Sequence, residues 1–345
     1  MISSTANRLK SGRSRVAKIT YREALRQALR EEMQRDPSVF LLGEDIAQFG
    51  GAYKVTQGLF DEFGPDRVKD TPISEEAIVG AGIGAAMVGL RPVAEIMTIN
   101  FILVAIDQIV NNAAKIHYMF GGQICVPVVI RTPQGAGHQL GAQHSQNFDV
   151  YFAYVPGLKV ACPATPADAK GLLKTAIRDN NPVLFIENLA LYNTIGEVPE
   201  EEYVVPFGKA RIAREGRDVT IVAHSRMVLT ALEAADKLAK EGIEAEVVDL
   251  RTLRPLDVET MAESVRKTNR AIVVGEDWRN FGVSAEIAAT LQEEAFDFLD
   301  APIARINTAG IPMPYSKPLE TAALPHADQV VATAKAMLPR RFRTA

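Results

Sequence analysis

The sequence predicts an α/β protein of two domains, each built on a parallel sheet that helices cover on both faces. Three observations support this prediction. The 345 residues suffice for two separate cores. Short apolar runs without inside–outside alternation, typical of strands buried on both faces, alternate with segments of helical periodicity. A polar, acidic stretch at 191–205, with Pro199 inside it and Pro206 directly after it, interrupts this alternation and is typical of a linker.

The first domain begins with a helix. Thr20 and Glu23 fit a capping box, and apolar residues recur at helical spacing through Leu29. Strands and helices then alternate along the chain. In order, we predict strand 39–43, helix 75–89, strand 92–96, helix 102–118, strand 127–131, strand 158–162, helix 166–178 and strand 182–187.

The second domain repeats the alternation on a smaller scale. Its predicted elements are strand 219–223, helix 226–241, strand 245–250, helix 257–267, strand 270–274, helix 283–295, strand 303–306 and a last helix near 326–337. We therefore divide the chain into a tail (1–16), a first domain (17–195), a linker (196–206) and a second domain (207–339). The tail is basic, with no acid, so we expect it to be flexible; a transit peptide is the alternative.

Composition excludes several classes of protein. Apolar residues make up 47% and charged residues 23%, which is ordinary for a globular protein. The formal charge of −4 gives no reason to expect nucleic acid or an anionic membrane as partner, and no apolar run reaches the roughly 18 residues of a membrane span. Cys125 and Cys162 have no metal-binding spacing and are interpreted as reduced thiols. We expect a bacterial cytoplasmic location rather than a mitochondrial matrix.

Residues 71–75 place a carboxylate at the entry to an apolar helix. Pro72 favours a sharp entry, and Ser74 is a candidate N-cap. Glu75 lies in the first turn, and the residues from Ala77 to Val88 are almost all apolar, so most of the helix surface must be buried. Glu75 could simply complement the helix dipole. Alternatively, it is an acid held in apolar surroundings where it binds a nitrogen of a cofactor.

Three loops follow strands of the first domain at their carboxyl ends, where the active sites of open parallel sheets gather. The loops carry Glu44 and Asp45, residues 97–101, and residues 132–146. The last is long and rich in glycine, glutamine and histidine, which favours a ligand-facing surface. His144 is a candidate there, although a loop histidine is often only solvated. Phosphate-loop, zinc-protease and serine-hydrolase motifs are absent from the sequence.

A possible cation site lies at 176–182, where a helix ends before a proline. The last carbonyls of a helix lack intrahelical partners and carry partial negative charge. With the oxygens of Asp179 and Asn181 they could bind a monovalent cation. The alternative is an ordinary helix end with asparagine in the left-handed conformation.

Together these segments closely resemble the β subunits of the thiamine-diphosphate-dependent 2-oxoacid dehydrogenases, in the pyruvate dehydrogenase branch. The resemblance runs from about Thr20 to Pro339, and residues 248–257 are similar to a transketolase-type C-terminal domain. It implies a transketolase-like pyrimidine-binding domain followed by that C-terminal domain. Its most specific segments are Leu42-Gly43-Glu44-Asp45, Gly51-Ala52-Tyr53-Lys54-Val55, Asp70-Thr71-Pro72-Ile73-Ser74-Glu75, Ala142-Gln143-His144-Ser145-Gln146 and Ala176-Ile177-Arg178-Asp179-Asn180-Asn181-Pro182.

The resemblance implies roles for three residues. Glu75 matches the glutamate that hydrogen-bonds a ring nitrogen of the cofactor's aminopyrimidine and stabilises its imino tautomer. Phe101 matches the aromatic residue that stacks on this ring, which is also compatible with plain core packing. His144 matches a histidine that orients or protonates groups during transfer to lipoamide. The family's potassium site maps to the carbonyls of Val128, Ala176, Ile177 and Asn181 with Asp179.

The magnesium and diphosphate site of this class depends on a Gly-Asp-Gly motif, and this motif is absent from the sequence. The resemblance therefore implies an α subunit that binds magnesium and the diphosphate, in an α2β2 heterotetramer with sites at the α–β contacts. The apolar segments 75–89 and 102–118 are candidates for subunit interface. The dihydrolipoyl acetyltransferase would bind through its peripheral-subunit-binding and lipoyl domains.

The implied reaction is oxidative decarboxylation of a 2-oxoacid with reductive acylation of a lipoyl group. Pyruvate is the expected substrate, since branched-chain enzymes tend to carry a tyrosine before the histidine of the 142–146 segment. Acetoin and branched-chain 2-oxoacids stay open as alternatives. A free-standing transketolase-like enzyme conflicts with the missing motif. A noncatalytic scaffold subunit would not need Glu75, Phe101 and His144 together.

Overall fold

The computed structural model describes residues 15–338. Most of the predicted basic tail and the end of the second predicted domain, Pro339, lie outside the described residues. Within the described part, the strands form three sheets of seven, five and two strands. None of the helices between residues 15 and 338 is long and apolar enough to cross a bilayer.

The seven-stranded sheet lies in the first half of the chain. Its strands are β2 (Val39–Gly43), β3 (Val68–Asp70), β4 (Arg91–Glu95), β5 (Val129–Gln134), β6 (Lys159–Ala161), β7 (Val183–Asn188) and β12 (Thr252–Arg254), in the order β12-β6-β7-β5-β4-β2-β3. The six strands of the first half are parallel, as predicted for five of them, whereas β3 was not predicted. β12 comes from the second half of the chain and runs antiparallel to β6, so a purely parallel sheet was wrong at this edge.

The helices of this half cover both faces of the sheet. They are α1 (Tyr21–Arg35), α2 (Leu59–Phe63), α3 (Glu75–Met87), α4 (Ile116–Met119), α5 (Asp149–Ala153) and α6 (Pro166–Arg178). The Oγ1 of Thr20 accepts a hydrogen bond from the N–H of Glu23 at 3.2 Å, as predicted for a cap. The Glu23 carboxylate, however, contacts Arg26 and Gln27 instead of completing a capping box.

The continuous helix predicted at 102–118 was wrong. A 3₁₀ turn (Phe101–Ala105) and a π-helical segment (Gln108–Ala113) precede α4. Ile102, Ala105, Ile109 and Ala113 are buried in one core, and a regular α-helix would place this spacing on one face as well, so the apolar pattern could not distinguish these windings from an α-helix.

The second half of the chain forms the five-stranded sheet. Its strands are β9 (Arg211–Arg214), β10 (Val219–Ala223), β11 (Ala245–Asp249), β13 (Ala271–Trp278) and β14 (Ala304–Thr308), in the order β14-β13-β10-β11-β9. The helices are α7 (Met227–Ala239), α8 (Val258–Thr268), α9 (Val283–Ala295), α10 (Lys317–Ala323) and α11 (Ala327–Met337). Edge strand β9 is antiparallel to its neighbour, and the other pairs are parallel.

The two halves pack against each other through shared structure. One apolar core includes Leu42 and Ile96 of the first half together with Val222, Val248 and Leu291 of the second. The predicted linker, 196–206, contains most of strand β8 (Ile195–Pro199), which pairs antiparallel with β1 (Val16–Thr20). The loops at the carboxyl ends of the first sheet therefore face a fixed second domain.

Candidate functional site

The predicted site loops meet at one edge of the seven-stranded sheet. In the parallel register Gly43 lies opposite Glu95, and Glu95 lies opposite Arg131. Backbone hydrogen bonds continue beyond the strand ends, since the N–H of Thr71 donates to the carbonyl of Gly43 and that of Ile99 to Pro133, both at 2.9 Å. The segments carrying Glu75, Phe101 and His144 all leave the sheet at this edge.

Glu75 is the first residue of α3 and is only 9% exposed. Ser74 occupies the N-cap position, as predicted, but its side chain makes no capping hydrogen bond. Within residues 15–338 no group donates a hydrogen bond to the Glu75 carboxylate. The pKa of nearby Glu44 is raised by burial and by the negative charges of Asp45 and Glu75. Glu75 is thus a buried acceptor with free hydrogen-bonding capacity, beside a second acid.

Phe101 and His144 are brought together. Their rings meet edge to face, with centroids 5.2 Å apart and planes at 85°. Both side chains are half-buried, and α3 packs against the turn that begins with Phe101. The Nδ2 of neighbouring Asn100 and the Oγ1 of Thr71 are buried without hydrogen-bond partners. Buried polar groups in proteins nearly always have hydrogen-bond partners. These two atoms lack one within the described residues, so a heterocycle bound at this edge could form hydrogen bonds with them.

A buried ionic network under this edge was missed by the sequence analysis. Arg131 is 1% exposed and binds Glu187 through two hydrogen bonds of 2.5 and 2.8 Å, and it also contacts Glu95. The hydroxyl of Tyr192 donates to Glu187 at 2.6 Å. Burial alone would lower the pKa of Arg131, but the Glu187 and Glu95 carboxylates raise it above its ordinary value. The signal in the sequence was a charged residue within or at the end of each of three apolar strands, namely Glu95, Arg131 and Glu187.

The predicted potassium ligands lie at the end of α6 and the adjacent strands, and two cationic side chains contact them. Arg91 donates to the carbonyls of Ile177 and Asp179 at 2.9 and 3.0 Å. The Asp179 carboxylate contacts Lys159 and accepts the side-chain N–H of Asn181 at 2.7 Å. Burial would raise the pKa of Asp179, but the Lys159 contact and the Asn181 bonds lower it.

Two further predicted ligands, the carbonyls of Val128 and Ala176, accept backbone N–H groups at 2.9 and 3.3 Å. The alternative of a left-handed asparagine was wrong, because the residue after α6 is Asp179 in an extended conformation and neither asparagine has a positive φ. No cluster of three histidine, cysteine or acidic side chains within residues 15–338 is arranged to hold a metal ion.

Comparisons with known proteins agree with this architecture. Residues 17–194 match the family described as "Transketolase, pyrimidine binding domain", and residues 208–330 match "Transketolase, C-terminal domain". A solved structure titled "Split gene transketolase, inactive beta4 tetramer" superposes with a TM-score of 0.75 at 26% identity, covering 93% of this chain and 98% of that chain. The two-domain transketolase-like fold is therefore confirmed.

Curated relatives are more similar still. "Pyruvate dehydrogenase E1 component subunit beta, mitochondrial" of Dictyostelium discoideum is 52% identical over 326 residues, which cover 93% of this chain and 92% of that protein. "Pyruvate dehydrogenase E1 component subunit beta" of Rickettsia conorii is 53% identical over 317 residues, 92% of this chain and 97% of that protein. The chain belongs to the family of pyruvate dehydrogenase E1 component β subunits, within the transketolase-like proteins.

Proposed function

We propose that this chain is the β half of a pyruvate dehydrogenase, which together with an α subunit decarboxylates pyruvate oxidatively and acetylates a lipoyl group reductively. The observation that carries the proposal is Glu75, a buried carboxylate to which no group within residues 15–338 donates, at the sheet edge where Phe101 meets His144. Relatives named as pyruvate dehydrogenase β subunits support the choice of substrate.

Thiamine diphosphate, when bound, supplies the nucleophilic carbon and the electron sink of this reaction. Glu75 would accept a hydrogen bond from, and share a proton with, a ring nitrogen of the aminopyrimidine, because no group within residues 15–338 donates to its carboxylate. Phe101 offers an aromatic face to the same ring. His144, at the edge of Phe101, orients or protonates groups during transfer to the lipoyl sulfur.

The α subunit would supply magnesium and the diphosphate site, since the sequence has no Gly-Asp-Gly motif. Exposed apolar side chains support subunit contacts on the faces predicted for them, with Val88 80% and Val104 56% exposed. Further exposed aromatic residues are Tyr118, Phe120, Tyr154 and Phe281. Patches of this kind mark protein interfaces. We infer an α2β2 assembly that also binds the dihydrolipoyl acetyltransferase, in a bacterial cytoplasm.

Potassium would bind at the end of α6. Each carbonyl there has a second lone pair, so the Arg91 and backbone contacts do not exhaust the carbonyls of Ile177 and Ala176. A bound cation stabilises the folded state by mass action. The thermal midpoint should therefore be higher in potassium chloride than in lithium chloride of equal ionic strength, and identical midpoints would contradict this site.

The decisive experiment compares the chain alone with the chain co-purified with its cognate α subunit. Pyruvate-dependent reduction of an artificial electron acceptor should require both chains. Rates with acetoin and branched-chain 2-oxoacids, measured on the same preparation, distinguish the three substrates. Activity of the lone chain would overturn the shared-site proposal, and a higher kcat/KM for acetoin or a branched-chain acid would overturn the choice of pyruvate.

A further inference from the structure

The loop that carries His144 is held from outside its own domain. Residues 135–146 form a closed loop, in which the N–H of Gly135 donates to the carbonyl of Gln146 at 3.4 Å. Its first half contacts side chains of the C-terminal domain. The N–H of Ala136 donates to Glu276 at 2.9 Å, and Arg226 donates to the Ala136 carbonyl at 2.7 Å.

The carboxylate of Glu320 makes the main contact with the exposed part of the loop. One of its oxygens accepts the N–H groups of Gly137 at 2.9 Å and Gln139 at 3.1 Å. The second oxygen lies 3.2 Å from the same Gln139 nitrogen. Gly137 and Gln139 both have positive φ, at 108° and 58°. A positive φ is unfavourable for a residue with a side chain, such as Gln139. The hydrogen bonds to the carboxylate of Glu320 therefore stabilise an otherwise unfavourable backbone conformation.

The environment of Glu320 is unusual for an acid. Its side chain lies on α10 and is 2% exposed, and among residues 15–338 it has no ion-pair partner. A buried carboxylate is costly unless hydrogen bonds compensate it. Here the compensation comes from the loop amides, so the acid and the loop conformation depend on each other.

The loop transmits this restraint to His144. The ring of Tyr315 lies directly on Gly141, where a Cβ atom would come within 2.3 Å of the ring. The carbonyl of Gly141 in turn accepts the N–H of His144 at 3.3 Å, and the His144 ring meets Phe101. The backbone from Gly137 to His144 is therefore fixed at both ends, one of them by the C-terminal domain.

We propose that Glu320 is a positioning residue for His144, an inference that rests on the role of His144 in the proposed function. By fixing the loop amides of Gly137 and Gln139, Glu320 keeps the imidazole at the edge of Phe101, where acyl transfer to the lipoyl group takes place. Decarboxylation, which depends on Glu75, does not require this loop geometry.

The test uses Glu320→Ala and Glu320→Gln in the assembled αβ enzyme, with Thr321→Ala as the matched control. Thr321 lies on the same helix and is exposed. Glu320→Ala should slow acetylation of a free lipoyl domain by about tenfold to a hundredfold, as expected for a misplaced catalytic group, with a loss below about twofold for an artificial electron acceptor. Glutamine keeps one acceptor oxygen and the side-chain size, so Glu320→Gln should fold normally and lose less.

Two further measurements separate positioning from a general structural role. Amide hydrogen exchange at Gly137 and Gln139 should be about tenfold faster in Glu320→Ala, while Thr321→Ala resembles the unsubstituted chain. In a His144→Ala background, Glu320→Ala should cause no additional loss of lipoyl acetylation. Unchanged exchange, equal losses with both acceptors, or an additional loss in that background would overturn the proposal. An unsubstituted assembly that reduces neither acceptor would instead refute the proposed function, and the exchange rates would still decide whether Glu320 holds the loop.

Discussion

The exchange of Glu75 for glutamine separates the two interpretations of this residue, a helix-dipole partner and a cofactor-binding acid. Within residues 15–338 no donor bonds its carboxylate, so glutamine breaks no hydrogen bond of the chain. If Glu75 only complements the dipole of α3, the substitution costs about 0.3–1 kcal/mol of stability and leaves catalysis intact. If it shares a proton with the cofactor, proton loss should slow by about 10²–10⁴-fold, a barrier increase of roughly 3–5 kcal/mol.

Glu76 provides the matched control for this experiment. It lies in the same first turn of α3 but is exposed, so Glu76→Gln removes the same charge from the same dipole. The assay is the rate of deuterium exchange at the thiazolium carbon of thiamine diphosphate in the assembled αβ enzyme. We expect slow exchange only in Glu75→Gln, with both variants assembling normally. Equal exchange rates in the two variants would refute the cofactor-binding role.

Three further predictions concern the same region. His144→Ala should reduce lipoyl acetylation more than pyruvate-dependent reduction of an artificial acceptor, and equal losses would contradict a transfer role. Arg131→Met should lower the free energy of unfolding by about 3–5 kcal/mol in urea titrations, because it leaves Glu95 and Glu187 buried without their cation, whereas a change below about 1 kcal/mol would count against this network. Burial, with a contribution from Asp149, raises the pKa of Asp277 from 3.8 to about 6. The Asp277 carboxylate therefore binds a proton more readily in the folded chain than in the unfolded chain. The stabilisation from this group is complete below pH 3.8 and is lost as pH rises to 6, by about 3 kcal/mol. The difference in unfolding free energy between Asp277→Asn and the unsubstituted chain should therefore change in this interval and be constant above it.

The central strands could be predicted because their signal is local. Strands such as β2, β7 and β10 are buried on both faces, which requires a nearly continuous apolar run in the sequence. The edge strands β8, β9 and β12 carry glycine, proline or arginine and have no such run. Their pairing depends on which segment the tertiary fold places beside them, and the sequence around them contains no trace of that choice.

The position of the candidate site could be predicted in part, because it follows from the parallel arrangement of the strands. Parallel strands bring their carboxyl ends to one edge, so segments far apart in the chain, those of Glu75, Phe101 and His144, could be expected to meet there. Glu320 could not be found in this way. It binds backbone N–H groups, which every residue but proline possesses, so its partners leave no mark in their own side chains.

These contacts suggest a division of work between the two domains. The first domain contains Glu75 and Phe101, the residues proposed to bind the cofactor, and the buried network around Arg131 joins strands of its sheet. The second domain contributes none of the predicted catalytic or cofactor-binding residues, yet it supplies β12 to the first sheet and places the carboxylates of Glu276 and Glu320 on the loop of His144. Activation of the cofactor should then be insensitive to substitutions in the second domain that leave the fold intact. Transfer to the lipoyl group, the step proposed for His144, should be sensitive to such substitutions. The loop that carries His144 is held by hydrogen bonds that cross the domain boundary.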